Sequence, residues 1–213
     1  MPITHANNDV YSTTMSMHSK ELEIFRDIIS SSPEIMSLLR RARTLNLESW
    51  CLGAGVIRDY VWDTLQGNSY TKPNDVDLVY YDASSDDEKK LSTELNSIAD
   101  GNLWEVTNQA KVHEWYVGED GRQHAPFRSM LEAIASWPEY CTAVGVALSS
   151  NNDLSVYAPY GLEDLLSFKV RHNPLRAGLD TFKRRSSKFS RQRWPLLEIQ
   201  TDYDVFKPTT KPA

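Results

Sequence analysis

The sequence predicts an α/β domain of the mixed α+β type, in which a short mixed β-sheet is flanked by helices. Short apolar runs of strand length alternate with stretches of helical periodicity. The order of these elements is irregular, with two helices before the first strand and two successive strands near the end, which excludes a regular doubly wound sheet and a barrel. The chain has 213 residues, enough to bury roughly 70% of its unfolded surface in one core.

Composition narrows the class of protein. Hydrophobic residues make up 40% of the chain and charged residues 24%, with a formal net charge of −6. These values are ordinary for a globular protein and argue against one that coats nucleic acid non-specifically. No apolar run is long enough to span a membrane, and the polar N-terminus lacks a signal-peptide core. Cys51 and Cys141 stand in apolar surroundings, which predicts buried free thiols in a cytoplasmic protein without a membrane partner.

Two helices precede the first strand. From Ser19 onward, apolar residues recur at helical spacing, and Ser32-Pro33-Glu34 then combines a capping side chain with proline at the first helical position. Residues 1–18 lack periodicity and are predicted to be disordered. Residues 19–195 are predicted to form the folded domain, and residues 196–213 a C-terminal tail.

The elements that follow are predicted from alternation, helical periodicity and loop-forming residues. They are, in order, a strand at 49–52, a helix at 56–65, a strand at 74–81, a helix at 86–98, a strand at 103–107, a helix through 109–115, a helix at 130–137, a hairpin of 142–148 and 154–157, and a helix at 161–170. Beyond them, the basic segment 183–193 contains six Lys or Arg residues. It is typical of solvated charge on a terminal helix. The alternatives are a grip on an RNA backbone or a triphosphate, and a mixture of the two in which one or two of these residues lie over the cleft.

A Gly53-Ala54-Gly55 turn joins the first strand to the following helix. Such a turn leaves backbone N–H groups unpaired at the helix N-terminus, where partial positive charge accumulates and a phosphate can approach closely. On its own the turn is weak evidence, because a Gly-x-Gly turn before a helix usually reflects tight packing.

Three acidic residues on two predicted strands suggest a metal site. Asp75 and Asp77 point to one face of their strand, about 7 Å apart, and a divalent cation such as Mg²⁺ would relieve their repulsion. Glu105 stands on a later strand and joins them if the two strands pair. Three such carboxylates would hold two metal ions for in-line displacement at phosphorus. The alternatives are a solvent-facing strand edge or Asx turn for the aspartates, and an exposed edge acid for Glu105.

This arrangement resembles the polymerase-beta-type nucleotidyltransferase superfamily. The local pattern Ala54-Gly55-Val56-Ile57-Arg58-Asp59, followed by Asp75-Val76-Asp77, is similar to the head of CCA-adding and poly(A) polymerases, which carry GGxVRD and DxD. A longer stretch of the sequence, roughly residues 20–195, resembles a bacterial family of predicted stand-alone nucleotidyltransferases. This stretch includes the segments WEVTNQAKVH and APYGLEDLL. The resemblance implies the nucleotidyltransferase fold.

The resemblance also implies roles for individual residues. Gly53, Ala54 and Gly55 would form the loop that receives the nucleoside triphosphate, with Ala54 replacing a glycine of the family pattern. Arg58 would balance phosphate or acidic charge, and an ordinary ion pair is its alternative. Asp75, Asp77 and Glu105 would be the catalytic, metal-binding carboxylates. Asn108, Gln109 and His113 resemble a family signature and would line the nucleotide pocket, with a structural hydrogen-bonding role as the alternative.

The sequence thus predicts a nucleotidyltransferase that depends on Mg²⁺ or Mn²⁺. It would move a nucleoside monophosphate from an NTP such as ATP to an acceptor hydroxyl and release pyrophosphate. The acceptor, whether small molecule, protein or RNA, is left open, as are the base preference and the oligomeric state. The alternatives are a non-catalytic nucleotide- or metal-binding module of the same fold and a dinucleotide-binding protein, which the irregular order of elements disfavours.

Overall fold

A computed structural model gives the fold and describes residues 19–98, 101, 103–119 and 121–200. The elements are α1 (19–30), α2 (Pro33–Arg43), β1 (Trp50–Gly53), α3 (Gly55–Leu65), β2 (Val76–Tyr80), α4 (Glu88–Asn96), β3 (Trp104–Asn108), α5 (Met130–Ala135), β4 (Gly145–Leu148), β5 (Leu154–Tyr157), α6 (Glu163–Leu166), β6 (Lys169–Val170), α7 (Leu179–Ser186) and β7 (Glu198–Ile199). Short 3₁₀ turns occur at Val112–Glu114 and Tyr140–Thr142.

Five strands form one mixed sheet in the order β3-β2-β1-β4-β5. β2 and β3 are parallel, and the other neighbours are antiparallel. The parallel pair is joined through α4, which packs on β3, because parallel neighbours need a crossover connection. The sheet and its flanking helices confirm the predicted mixed α/β class, and the β4–β5 pairing confirms the predicted hairpin.

Helix capping and alternation explain how the core forms. The Ser32 hydroxyl accepts a hydrogen bond from the Ile35 N–H at 3.0 Å, which begins α2 as the sequence predicts. Along β2, Val76, Leu78 and Tyr80 are buried among apolar side chains. Because successive residues of a strand point to opposite faces, Asp77 lies on the other face of the sheet from these three.

Two predicted helices differ in the structure. The helix predicted at 109–115 is only the 3₁₀ turn Val112–Glu114. The helix predicted at 161–170 ends at Leu166, because Phe168 has a φ of 58°, a left-handed conformation that a helix cannot continue through. The chain then enters β6, a strand that the sequence did not predict.

The C-terminal part of the described chain forms a helix and a two-stranded sheet. After α7, β7 pairs in parallel with β6, so the described residues 196–200 extend the folded part beyond the predicted boundary at 195. The predicted disordered segment 1–18 and the remaining tail, 201–213, lie outside the described residues.

Two expectations from composition concern burial and membranes. Cys51 and Cys141 are both buried and free, as predicted, and burial raises the pKa of both thiols. In the described ranges, no helix has the length and apolar character needed to cross a bilayer.

Candidate active site

The turn between β1 and α3 presents backbone N–H groups at the start of a helix. Ala54 occupies the cap position of α3 with φ 51° and ψ −119°, and its side chain makes no capping hydrogen bond. A non-glycine residue held in such a region is strained by about 1–3 kcal/mol, and strain of this kind clusters at functional sites. The first N–H groups of α3 are therefore available to an anion, which the helix dipole favours at this end.

The acidic residues lie on neighbouring strands of the sheet. β2 and β3 pair as expected, and Asp77 is directly opposite Glu105 in their parallel register. Residues in register on adjacent strands share a face, about 4.8 Å apart between backbones. Asp75 directly precedes β2 and is exposed, as is Glu105, whereas Asp77 is largely buried. The structure therefore brings the three predicted carboxylates to one face, and their role as metal ligands stays a prediction.

The charges of this face act on Asp77. Its pKa is raised to about 6, first by burial and then by repulsion from Asp75 and Glu105. Two cations, Arg185 and Arg58, lower the pKa in part. Burial and the two neighbouring acids therefore outweigh the two cations at Asp77.

A divalent cation fits this donor set only together with a substrate. Among the residues that the structure describes, no three His, Cys, Asp or Glu side chains form a group that could hold a metal ion. Mg²⁺, however, is usually bound by one or two carboxylates, with phosphate oxygens and waters completing its shell. Asp77 and Glu105 match that requirement, and such an ion would relieve the repulsion that Asp75 and Glu105 exert on Asp77.

The first cavity lies between the start of α3 and the C-terminal segment. Its volume is about 430 Å³. One wall carries the turn and the aspartates, and the opposite wall carries basic and aromatic side chains of residues 185–194. The lining residues used below are Ala54, Gly55, Arg58, Asp59, Asp75, Asp77, Arg185, Lys188, Phe189 and Arg193. A cavity with a helix N-terminus on one side and several cations on the other suits a polyphosphate.

Arg58 is held inside this cavity. Its guanidinium donates to Asp59 Oδ1 from Nε at 2.9 Å and from Nη2 at 2.7 Å, and it lies 4.4 Å from the centre of the Phe189 ring. Its side chain is only 10% exposed. Arg58 therefore forms the ion pair that was the alternative to a phosphate role, yet it still lines the cavity and lowers the pKa of Asp77.

The C-terminal segment is fixed to α3 by a buried carboxylate. Asp63 is 2% exposed and accepts from Arg193 Nε at 3.0 Å and from the Trp194 indole N–H at 2.9 Å. Arg193 and Lys188 line the first cavity together with Arg185, whereas the other three cations of the segment, Lys183, Arg184 and Arg191, are exposed and line neither cavity. The basic segment is thus divided, in line with the mixed interpretation that the sequence left open.

Arg185 connects the acidic face to a second buried carboxylate. Its Nε donates to Glu139 Oε1 at 2.7 Å, and the Thr142 hydroxyl donates to Glu139 Oε2 at 2.7 Å. Glu139 is fully buried. Arg185 also lowers the pKa of Asp77. Its guanidinium therefore pairs directly with Glu139 and also stabilises the negative charge of Asp77.

A second cavity also borders Asp77. Its volume is about 340 Å³, and it shares Ala54, Asp77 and Arg185 with the first. Most of its other lining residues are apolar or aromatic, with a few polar groups and one further cation. These are Val79, Thr107, Gln109, Val112, Trp115, Tyr116, Phe127, Ser136, Trp137, Pro138, Thr142, Arg176 and Ala177.

Gly53 contributes to the second cavity through its lack of a side chain. A Cβ at Gly53 would overlap the indole of Trp137, which lines the second cavity. Gly53 itself lines neither cavity. Its position thus favours the packing interpretation, whereas Gly55 and Ala54 line the first cavity as the resemblance implies.

The three residues of the predicted signature are placed differently. Gln109 lines the second cavity. Asn108 is fully buried, and its amide bonds the backbone of residues 82, 85 and 110, so it has the structural role that was its alternative. His113 is half-buried and lines neither cavity. Neither Asn108 nor His113 is therefore placed to line a nucleotide pocket.

Several lining residues were absent from the sequence-based site. Glu139, Arg176, Trp115 and Trp137 belong to no motif that the sequence analysis singles out, and Trp115 is 60% exposed. Only the run of cations in 183–193 gave a signal, and it did not single out Arg185.

Comparisons with known proteins relate the chain to nucleotide-transferring enzymes. A family model described as nucleotidyltransferase matches residues 40–199. An NMR structure described as a CCA-adding enzyme head domain is 29% identical, with a TM-score of 0.70, over 86% of this chain and 96% of that one. No curated protein gives a significant match.

Two larger enzymes match over a minor part of their own length. An apo CCA-adding enzyme is 15% identical, with a TM-score of 0.47, over 79% of this chain and 40% of that one. The Bacillus stearothermophilus CCA-adding enzyme in complex with CTP is 16% identical, with a TM-score of 0.40, over 67% of this chain and 34% of that one. The chain thus spans well under half the length of these enzymes.

Proposed function

Since the chain belongs to the nucleotidyltransferase family, we propose that it transfers a nucleoside monophosphate from an NTP to an acceptor hydroxyl with the help of Mg²⁺ or Mn²⁺. The observation that carries this proposal is the in-register pair of Asp77 and Glu105. The pair stands beside a cavity that joins a helix N-terminus to Arg58, Arg185 and Lys188.

The first cavity is the site proposed for the triphosphate. The uncapped N–H groups of α3 and the side chains of Lys188 and Arg193 would bind the β- and γ-phosphates. Arg58 is held by Asp59, which fixes its guanidinium in the cavity wall before substrate arrives. Positioning of this kind, with fixed charge, supplies most of the catalysis in phosphoryl transfer.

The acidic face is the site proposed for bond exchange. A divalent ion bound there by Asp77 and Glu105 would neutralise charge that develops at the α-phosphate. The acceptor oxygen forms a bond to the α-phosphorus, the bond to the bridging oxygen breaks, and pyrophosphate leaves with that electron pair. The hydroxyl proton passes to a carboxylate of this face or to water.

A labelled-nucleotide assay tests the proposal. Each NTP is incubated with the protein, Mg²⁺ or Mn²⁺, and a small-molecule extract of cells as the source of acceptors, and pyrophosphate release is measured. Asp77→Asn and Glu105→Gln should each lower the rate by at least about 10²-fold. Asp153→Asn, at an exposed acid outside both cavities, is the matched control and should leave the rate unchanged.

The same assay addresses the non-catalytic alternative. A protein that only binds nucleotide would show NTP binding that depends on Lys188 and Arg193, with no pyrophosphate release for any nucleotide or metal. That result would replace transfer by binding as the function of the site.

A further inference from the structure

We propose that the second cavity binds the acceptor, and that this acceptor is a small aromatic or heterocyclic oxyanion whose anionic group pairs with Arg176 and whose hydroxyl lies at Asp77. The proposal rests on the proposed function, because it concerns the same site. It specifies the class of acceptor that the sequence left open.

The relative position of the two cavities assigns their roles. They meet at Ala54, Asp77 and Arg185. In-line displacement requires the attacking oxygen and the leaving pyrophosphate on opposite sides of the phosphorus. The first cavity holds the cations that suit pyrophosphate, and the second cavity, which also borders Asp77, is the adjoining space for the attacking hydroxyl.

Arg176 is the feature of the second cavity that indicates an anion. Its guanidinium lies 3.8 Å from the centre of the Phe127 ring, and its Nη2 donates to the Ala125 carbonyl oxygen. Its Nη1 is buried without a hydrogen-bond partner in the described part of the chain. A buried donor of a charged group is unfavourable unless it is paired, and a carboxylate or phosphate in the cavity would supply the missing acceptor.

The charges around Arg176 leave it available for a ligand. Tyr116 and Glu132 raise its pKa slightly, whereas burial has the larger effect and lowers it. Glu132 is exposed, and its carboxylate accepts from the Arg128 N–H at 2.7 Å. No carboxylate of the described residues forms an ion pair with Arg176 within 4.0 Å, whereas Arg58 and Arg185 each have one such partner and Arg193 has two.

The volume and the lining residues of the second cavity indicate the size and shape of the ligand. A volume of about 340 Å³ is at the lower end of small-molecule sites, which run from about 300 to 1,000 Å³. Trp115, Tyr116, Trp137 and Val79 line it and suit a flat apolar body, since aromatic rings stack at low entropic cost. The cavity does not have room for a folded macromolecule.

A fragment screen by NMR tests the proposal without NTP. The probes are aromatic carboxylates and phosphates of at most about 25 non-hydrogen atoms. Each is compared with its neutral amide or alcohol. We expect the anions to bind preferentially and to shift the indole N–H signals of Trp115 and Trp137. Arg176→Gln should weaken the best anion at least about 10-fold, and Arg176→Lys should weaken it less.

A matched control separates loss of the site from loss of the fold. Arg191→Gln removes an exposed arginine outside both cavities and should leave anion binding unchanged. Thermal unfolding of each variant checks that Arg176→Gln remains folded. If Arg176→Gln does not fold, the affinity of Arg176→Lys for the anions is compared with wild type instead.

The outcomes separate the two proposals. Neutral probes that bind as well as anions, or anions that bind Arg176→Gln undiminished, would overturn the acceptor site. A single-stranded RNA that shifts both indole signals while every small anion fails would also overturn it. If small anions bind through Arg176 but no NTP releases pyrophosphate, transfer fails as the function while the anion site remains.

Discussion

The first and second cavities border the same three residues but differ in the chemistry of their remaining walls. The first is enclosed by cations from the C-terminal segment and by the start of α3. The second is enclosed by aromatic side chains and has Arg176 as its additional cation. One site is thus divided into a part suited to polyphosphate and a part suited to a flat organic anion. Changes at the three shared residues, Ala54, Asp77 and Arg185, should therefore affect both parts.

The largest effect on stability is expected at Arg185. Arg185→Met leaves Glu139 buried and unpaired, and breaking a buried ion pair costs about 3–5 kcal/mol. Because the Arg185 side chain is 40% exposed, we expect a loss of about 2–3 kcal/mol in the free energy of unfolding, measured by urea denaturation. Transfer activity should also fall, since Arg185 faces both cavities.

A double variant separates these two effects. In Arg185→Met/Glu139→Met the buried charge is gone, and the Thr142 hydroxyl keeps the backbone carbonyl of residue 139 as its acceptor. The double variant should regain most of the stability but not the activity. A double variant as unstable as the single one would show that Arg185 acts on the fold through something other than Glu139.

An effect of similar size, but dependent on pH, is expected at Asp77. Its pKa is raised from 3.8 to about 6 in the folded state, so between these values the folded protein binds more protons than the unfolded one. Its contribution to the free energy of unfolding therefore falls by about 2–3 kcal/mol as the pH rises from 4 to 7. Asp77→Asn should not show this pH-dependent loss of stability. The free energy of unfolding is measured by urea denaturation at each pH, with Asp153→Asn as the control that should behave like wild type.

Adding Mg²⁺ to the same urea denaturation experiment tests whether the ion binds at Asp77. If Asp77 and Glu105 bind the ion, Mg²⁺ should lower the pKa of Asp77 and recover part of the stability that wild type loses at pH 7. Equal effects of Mg²⁺ on wild type and Asp77→Asn would place the ion elsewhere.

The smallest effect is expected at Ala54. Ala54→Gly relieves the backbone strain at φ 51° at the cost of about 0.5–1 kcal/mol in chain entropy. We expect a net gain of about 1 kcal/mol in thermal or urea unfolding. Ala83→Gly, at an exposed turn residue without positive φ, should lose stability instead, and a gain at both positions would contradict the assignment of strain to Ala54.

The acidic face could be predicted because its determinants are local. Alternation placed Asp75 and Asp77 on one face, and the neighbouring strand needed only to pair in register to add Glu105. The same alternation, continued from Glu105, puts Gln109 on that face and Asn108 on the opposite one. Strand alternation alone therefore distinguishes Gln109, which shares the face of the acids, from Asn108, which does not.

The aromatic and cationic walls could not be predicted in the same way. Glu139, Arg176 and Arg185 come from separate parts of the chain and meet through tertiary packing, for which periodicity gives no register. The end of α6 also depended on context, because the left-handed conformation of Phe168 runs against its intrinsic preference. Local pattern thus predicted the strands and their acids, whereas long-range contacts decided what surrounds them.

The fixing of Arg193 by Asp63 has a consequence for the order of assembly. The strand and helix that carry the turn are made early in synthesis, but the opposing cationic wall is made more than a hundred residues later. All five strands of the main sheet therefore precede the cationic wall along the chain. The first cavity can close only after this late segment reaches Asp63, and we expect a chain truncated before residue 183 to lack the cavity while it retains the strands of the sheet.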